Sequence, residues 1–326
     1  MKYIIRFTRL VAIGLLATSL SGPPAWSGTD YPTAPIRLIV PFAAGGAPDI
    51  VARVLAEHAA KDLGQEILVE NRTGAGGNIG FAVGAKAPPD GYTVLMCTFG
   101  CATNAFLFRN LAWNPADLAP VMVAAEVPNV LVVHPKLGVD TVQQLVELAR
   151  SRPGELSMAS SGVGSASHLA GERFNELARI KVLHVPYKGS ALALPDIAGG
   201  RVDFMIVSVP EAMPYLSDGR LKALGVSTGK RAPSLPQVPT IKESGLPDYS
   251  VAAWSMLVVP AGTPAAIIDR LNTVFNKALG DPRIAKRLND LSIEPVGGTA
   301  HDAQAFLDKQ AAEWKVLIEE KHISAN

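Results

Sequence analysis

The sequence predicts an α/β protein of two domains, each with a central sheet flanked by helices, joined by a hinge of two chain crossings. Three observations predict this fold class. Short β-branched and aliphatic runs alternate with amphipathic helical segments over most of the chain. Glycine- or serine-rich turns separate strand ends from helix starts in both halves. The last part of the chain is helical, so it is expected to pack on a sheet formed earlier.

The first half has the order βαβαβ, which predicts a parallel sheet with right-handed crossovers. Its first strand, Ile36–Val40, is a β-branched run between prolines. The helix that starts near Asp49 carries apolar residues on one face and reaches a stop signal at Gly64. The other predicted strands span 67–70 and 93–97, and a short helix ends at 85.

A second series of strands and helices follows. Its predicted strands span 130–133, 156–159, 182–185, 203–207 and 221–227, with helices at 141–150 and 165–177 and shorter ones after Ser190 and Pro210. A strand at 255–259 then precedes three helices with no strand between them. The first of these helices has Thr263 as its expected N-cap and Pro264 at its first position, and the others span about 282–290 and 301–321.

This order predicts a discontinuous first lobe, 28–126 plus 250–326, and a second lobe, 127–249. The residues before 28 form a targeting segment. Lys2, Arg6 and Arg9 precede an apolar run at 10–20, which is the pattern of a secretion signal and is too short to cross a bilayer. We predict a signal peptide at 1–27, cleavage after Ser27 and a periplasmic product.

Composition excludes several classes of protein. The 30 basic residues, less the three in the leader, leave 27 against 29 acidic ones, so no polybasic nucleic-acid surface is predicted. Apolar residues make up 48% and charged residues 18%, which is typical of a well-packed globular protein. The six histidines lack metal-ligand spacing, so no metal site is expected. We also expect no cofactor, and we expect the protein to be a monomer.

Cys97 and Cys101 are the two cysteines. A disulfide is possible in an oxidising compartment, but a bridge across three intervening residues needs a tight turn. Two free thiols near a strand end are therefore the expectation, and the bridge is left open.

The turns after the predicted strands are the candidate site. In open α/β sheets the ligand crevice lies off the carboxyl ends of the strands, and free N–H groups at helix starts favour an anion. The glycines of these turns allow close approach of the backbone, and the serines add hydroxyl donors. These glycines and serines are Gly45, Gly46, Gly76, Gly77, Gly162, Gly164, Ser160, Ser161 and Ser165.

Each feature also has a structural interpretation. Asp49 is equally well explained as an acid favoured early in a helix, and His168 as a histidine that bonds nearby backbone. The run Gly74 to Gly80 is similar to a dinucleotide fingerprint, but Ile79 stands where the third glycine belongs. A serine hydrolase that uses a serine within 160–167, with His168 or His184 as base, stays open as an alternative.

Taken together, the turns resemble those of the Bug receptors, the TctC-like periplasmic solute-binding proteins of tripartite tricarboxylate transporters. The resemblance covers essentially the whole chain after the leader. Its motifs are PIRLIVPF at 35–42 with Gly45, Gly46 and Asp49, VENR at 69–72, GAGGNIG at 74–80, PDGYT at 89–93, SSGVGS at 160–165, HLAGE at 168–172, VPYKGS at 185–190, VPT at 238–240, Glu243, GLP at 245–247, Trp254 and PAGTP at 260–264.

The resemblance implies a type II periplasmic-binding-protein fold whose two lobes close on a small carboxylate: a di- or tricarboxylate, an aromatic acid or an acidic amino acid. The implied ligand contacts are Phe42, Ala43, Ala44, Gly45, Gly46, Asp49, Asn78, Thr98, Gly100, Ser160, Ser161, Gly164, Ser165, His168, Tyr187, Lys188, Gly189 and Ser208. Asp49 could meet a ligand amine or cap backbone N–H groups.

Two residues depart from the family pattern. Ala44 replaces a common proline, and Ser208 stands where relatives often have Asn or Asp, which leaves the ligand's identity open. The implied partners are the membrane subunits of a transporter. A second possibility is a membrane sensor kinase to which the protein would present its ligand state.

Overall fold

The computed structural model describes residues 31–325, so the predicted leader and its cleavage site lie outside the described residues. The strands are β1 (Ile36–Val40), β2 (Ile67–Asn71), β3 (Thr93–Thr98), β4 (Leu118–Val133), β5 (Ser157–Ser160), β6 (Leu183–Pro186), β7 (Phe204–Ser208), β8 (Lys222–Val226), β9 (Ala252–Pro260) and β10 (Glu294–Gly297). The helices are α1 (Ala47–Leu63), α2 (Asn78–Ala85), α3 (Phe99–Leu107), α4 (Val142–Ser151), α5 (Ala166–Ala178), α6 (Ser190–Ala198), α7 (Val209–Ser217), α8 (Ala265–Leu279), α9 (Pro282–Asp290) and α10 (Ala300–Glu320).

The strands follow the order β2-β1-β3-β9-β4-β7-β5-β6, and β8 and β10 also pair with β4. Strand β4 belongs to both halves of this path. Up to Pro128 it pairs with β9, and from Asn129 onward it pairs with β7. We call the part around β2, β1, β3 and β9 the first lobe and the part around β7, β5 and β6 the second lobe.

The chain passes twice between the lobes. The first passage is within β4, and the return leads from Ser227 to Val251, whose N–H donates to the Ser227 carbonyl at 2.8 Å. The Ser227 hydroxyl accepts the Asn129 N–H at 2.9 Å, so the two passages are hydrogen-bonded side by side. The predicted lobe boundaries at 126/127 and 249/250 remain a prediction.

Both predicted parallel cores are present. β1 pairs in parallel with β2 and β3, and β5 pairs in parallel with β6 and β7. Ile36, Leu38, Ile39 and Val40 are fully buried because helices cover both faces of such a sheet. The continuous β-branched run in the sequence reflects this two-sided burial.

Four expectations about elements were wrong. The sequence predicted only 130–133 of β4, because Pro120 and Pro128 interrupt the run that precedes it. The structure accommodates Pro120 where the register with β9 shifts, and Pro128 where the strand changes lobe. A short strand, β10, separates α9 from α10 although no strand was expected there; its sequence holds a proline and a glycine.

Helix α3 was missed because it is only nine residues long, has a glycine at its second position, and its apolar residues are interrupted by Thr103 and Asn104. At the start of α8 the N-cap is Pro264 and not Thr263. The Thr263 hydroxyl instead donates to the Pro260 carbonyl at 2.7 Å, which removes it from the helix start.

Cys97 and Cys101 form a disulfide, with their Cα atoms 5.9 Å apart. This corrects the expectation of two free thiols. The strand end and the first turn of α3 bring the two residues within the range that a bridge requires.

Among residues 31–325 no helix combines the length and apolar character that a bilayer crossing needs.

Candidate functional site

The predicted site residues occupy strand-to-helix turns of both lobes. In the first lobe they lie in the β1–α1 turn, at the start of α2 and at the β3–α3 junction; in the second they follow β5, β6 and β7. In each lobe the parallel strands place these turns at one edge of the sheet. Hydrogen bonds and packing contacts connect the turns into one group per lobe.

Asp49 fixes the β1–α1 turn through hydrogen bonds to its backbone and to neighbouring side chains. Its side chain is buried, and Oδ2 accepts the Gly45 N–H at 2.9 Å and the Arg53 guanidinium at 3.0 Å. Oδ1 accepts the Asn71 amide at 2.9 Å, and the same amide nitrogen donates to the Phe42 carbonyl at 2.9 Å. The exposed backbone of residues 43–46 is therefore held from both ends.

Of the two roles left open for Asp49, these contacts match the capping of backbone N–H groups. Burial by itself raises the pKa of Asp49, but the hydrogen bonds from Arg53, Gly45 and Asn71 outweigh it and lower that pKa. The carboxylate is thus ionised and already neutralised by Arg53.

Asn78 organises the starts of α2 and α3. Its Oδ1 accepts hydrogen bonds from the Asn104 amide at 2.8 Å and from the Trp113 indole at 3.0 Å. A Cβ at Gly100 would lie 2.9 Å from the same Asn104 side chain. The Asn104 side chain therefore lies next to both Asn78 and Gly100, and it connects the start of α2 to the start of α3.

The β3–α3 junction offers several donors without partners. Thr98 is the N-cap of α3 and is 6% exposed, yet its hydroxyl has no hydrogen-bond partner within residues 31–325. The backbone N–H groups of Phe99 and Gly100 also lack an acceptor in this part of the chain. Since no acid occupies the first turn of α3, this helix start has the character of an anion site.

The turn after β5 is built from serines. Ser165 caps α5: its hydroxyl donates to the Gly162 carbonyl at 2.6 Å and accepts the His168 N–H at 3.3 Å. The Ser161 N–H donates to the Ser167 hydroxyl at 2.8 Å. As at α3, the first turn of α5 contains no acid, and helix starts from both lobes therefore share this property.

Two stacked imidazoles lie under this turn. His168 and His184 are 3.9 Å apart between ring centroids with an 11° angle between planes. Nδ1 of His168 accepts the Gly164 N–H at 3.0 Å, and Nε2 of His184 contacts the Ser160 hydroxyl at 2.7 Å. Burial, with a smaller contribution from His184, lowers the pKa of His168 to about 3, and burial lowers that of His184. The pair is neutral and supports the turn.

This burial predicts a pH-dependent stability. An unfolded His168 takes up a proton below pH 6.5, whereas the folded protein resists protonation down to about 3. The contribution that the buried, neutral His168 makes to the unfolding free energy is therefore fully present above pH 6.5 and is lost as the pH falls toward 3. Between pH 7.5 and 5.0 we expect the native protein to lose up to about 2 kcal/mol more unfolding free energy than His168→Asn, which retains an acceptor for Gly164. Urea denaturation at both pH values measures this; equal losses in the two proteins would contradict it.

The turns after β6 and β7 complete the second lobe. The Tyr187 hydroxyl donates to Asp196 at 2.8 Å, and the Gly189 N–H donates to the Ser161 carbonyl at 3.1 Å. Lys188 is exposed and has no ion pair within the described residues. Ser208, the N-cap of α7, donates its hydroxyl to Glu211. A cation and an acid therefore both lie near these turns.

The two lobes meet at Gly164. Its φ is +76°, and a Cβ placed there would lie 2.6 Å from Cδ1 of Leu107 at the end of α3. The serine-rich turn of the second lobe thus packs directly on a first-lobe helix, and only glycine allows this approach.

The geometry for nucleophilic catalysis is incomplete. Ser160 and His184 are at hydrogen-bond distance, but Ser160 is 0% exposed. A G-x-S-x-G pattern at 225–229, which sequence reasoning missed, places Ser227 in a fully buried position after β8. Its hydroxyl donates to the Val251 carbonyl, and the next element is strand β9, whereas a nucleophile elbow leads into a helix. Ser160 and Ser227 are therefore buried residues whose hydroxyls form hydrogen bonds within the fold.

Sequence reasoning also missed three polar residues at these turns: Asn71, Asn129 and Glu211. Asn71 lies inside the quoted VENR motif, and Glu211 is the first-turn acid of α7. Asn129 had no sequence signal, because it lies within a run that has the pattern of an apolar strand. No three His, Cys, Asp or Glu side chains of the described chain are grouped so as to hold a metal ion.

Two lobes joined by two strand passages, each with a helix start whose first turn carries no acid, have the architecture of a two-lobed solute-binding protein. Residues 51–323 match the family described as the tripartite tricarboxylate transporter family receptor. The chain belongs to this family, the Bug receptors. Protein BugT of Bordetella pertussis is 34% identical over 97% of this chain and 98% of its own length.

Solved structures of similar sequence have the same fold. Rpa4515 of R. palustris, with adipate, is 39% identical, covers 90% of this chain and 99% of its own, and superposes with a TM-score of 0.82. MatC of Rhodopseudomonas palustris, with bound malate, is 32% identical, covers 88% and 100%, and has a TM-score of 0.77. The predicted family and the predicted two-lobed α/β fold class are confirmed.

Proposed function

We propose that this protein is a periplasmic receptor that closes its two lobes on a small carboxylate and delivers it to the membrane subunits of a tripartite tricarboxylate-type transporter. One observation carries the proposal. The start of α3 holds a buried Thr98 hydroxyl and backbone N–H groups without partners among residues 31–325, and no acid compensates them. Buried donors of this kind need an acceptor, and a carboxylate supplies two oxygens.

The second lobe supports the same chemistry. The N–H groups of Ala166 and Ser167 in the first turn of α5 are likewise without an acceptor in the described chain, and the exposed Lys188 adds positive charge. The adipate of Rpa4515 and the malate of MatC are both small dicarboxylates. Export through the leader and hinge motion at the two strand passages are part of this proposal.

A thermal-shift screen tests the anion assignment. At a ligand concentration of about 100 times Kd, linkage adds about 2.7 kcal/mol of stability, which corresponds to a rise of about 5 °C in Tm for a chain of this size. Di- and tricarboxylates, aromatic acids and acidic amino acids form the panel, with neutral sugars and simple cations as controls. A shift produced by a sugar or cation, with none from any carboxylate, would contradict the proposal.

A receptor that reports to a membrane sensor kinase would give the same shift, and neighbouring genes distinguish the two partners. The hydrolase alternative makes a different prediction. It requires turnover of esters or amides that Ser165→Ala or Ser160→Ala abolishes, whereas a receptor returns its ligand unchanged.

A further inference from the structure

The acidic side chain of Glu211 lies at the turns that follow β6 and β7 in the second lobe. Glu211, in the first turn of α7, accepts the Ser190 hydroxyl at 2.6 Å and also the Ser208 hydroxyl. Ser190 is the first residue of α6 and Ser208 is the N-cap of α7. A single carboxylate therefore joins two helix starts, and it takes the place that an anionic ligand group would otherwise favour there.

A buried donor lies opposite Ser208, one of the two serines whose hydroxyls donate to Glu211. Asn129 is opposite Ser208 in the antiparallel β4–β7 pair, so the two side chains project from the same face with Cβ atoms about 5 Å apart. Asn129 is 4% exposed, and its amide nitrogen has no hydrogen-bond partner in the described chain. A donor left in this state calls for an acceptor from outside the protein.

Asn129 and Glu211 differ in the ligand group that each would bind. The amide nitrogen of Asn129 requires a hydrogen-bond acceptor, whereas the Glu211 carboxylate favours a donor or a positive charge. A second carboxylate satisfies Asn129 but is repelled by Glu211. An ammonium satisfies Glu211 and can donate to the Asn129 side-chain oxygen, but it leaves the buried amide nitrogen of Asn129 without an acceptor. A hydroxyl, or a carboxamide, both donates and accepts, and so it meets both requirements.

We propose that Asn129 and Glu211 make this receptor select a carboxylate whose remote end carries a hydroxyl or carboxamide over one whose remote end is a second carboxylate. The inference rests on the proposed function and names its ligand class more narrowly. Thr98 and the starts of α3 and α5 hold the first carboxylate, and the Asn129–Glu211 pair contacts the other end.

Calorimetric titration of matched acids tests this selection. The four-carbon set is succinate, 4-hydroxybutanoate, 4-aminobutanoate and succinamate; the six-carbon set is adipate, 6-hydroxyhexanoate, 6-aminohexanoate, adipamate and hexanoate. In at least one set we expect the hydroxy acid or the amide to bind the native protein at least about tenfold more tightly than the dicarboxylate. Glu211→Gln should raise dicarboxylate affinity about tenfold and change hydroxy-acid affinity less than about threefold. Glu313→Gln, an equal charge change on the exposed face of α10, should change neither.

Asn129→Leu is a second variant of similar side-chain size. It should weaken the hydroxy acid about tenfold but leave hexanoate, which offers no acceptor at its remote end, nearly unchanged. The melting temperature of each variant confirms that it is folded. Dicarboxylates that bind the native protein as tightly as the hydroxy acids, with no gain in Glu211→Gln, would overturn this inference while leaving the proposed function intact. If no carboxylate binds at all, both are overturned.

Discussion

Replacing Gly164 by valine is expected to weaken ligand binding about 5- to 150-fold while the protein stays folded. A β-branched side chain at a φ of +76° costs about 1–2 kcal/mol. Overlap with Leu107, whose Cδ1 would lie 2.6 Å from the new Cβ, costs about 1–3 kcal/mol more. Because Gly164 and Leu107 belong to different lobes, parting of the lobes relieves the overlap but not the backbone cost, so the overlap is the part that acts against the closed, liganded state. Titration of the purified variant with whichever carboxylate gives the largest thermal shift measures the effect.

Two further variants separate strain from overlap. Gly138 has a φ of +74°, and apart from its chain neighbours no atom of residues 31–325 lies within 4 Å of the position that a Cβ would take there. Gly138→Val therefore carries the backbone cost without the clash and should bind normally. Adding Leu107→Ala to Gly164→Val should recover part of the lost affinity. Native-like binding by Gly164→Val alone would mean that the turn after β5 and the end of α3 do not meet in the liganded protein.

Replacing Asp49 by alanine is expected to lower the unfolding free energy by about 2–4 kcal/mol. The binding free energy of every carboxylate ligand is expected to weaken by a similar amount. The substitution leaves the Gly45 N–H, the Asn71 amide and the Arg53 guanidinium without their common acceptor. The β1–α1 turn then loses the fixed backbone geometry on which ligand contact depends. Urea denaturation and ligand titration of the same preparation give both quantities.

The matched control for Asp49 is Asp290, which forms an i,i+4 ion pair with Lys286 on the exposed face of α9. Asp290→Ala should cost less than about 0.5 kcal/mol, as expected for a solvated pair. The ligand series distinguishes the two roles of Asp49. A brace affects acids with and without an amine equally; a loss confined to amino acids would show that Asp49 contacts the ligand amine.

Local signals account for most of the elements. Strand β1 follows from a β-branched run between prolines, the end of α1 from Gly64 in the left-handed conformation, and the start of α5 from Ser165 as N-cap. These features depend on residues within a few positions of one another, so the sequence is sufficient to predict them. Strand β4 was underestimated because proline is a local warning, whereas the sheet position that tolerates it is set by distant partners.

Local sequence patterns are enough to predict the alternation of strands and helices, the secretion signal, and the turns that carry the family motifs. Which polar groups in those turns have hydrogen-bond partners, and which have none, becomes apparent only when the folded chain is described. Asp49 is consumed by Arg53 and Asn71, while Thr98 and Asn129 keep buried donors without partners in residues 31–325. A hydrogen bond depends on where two groups meet in space, and strands β4, β7 and β9 bring together residues more than 70 positions apart.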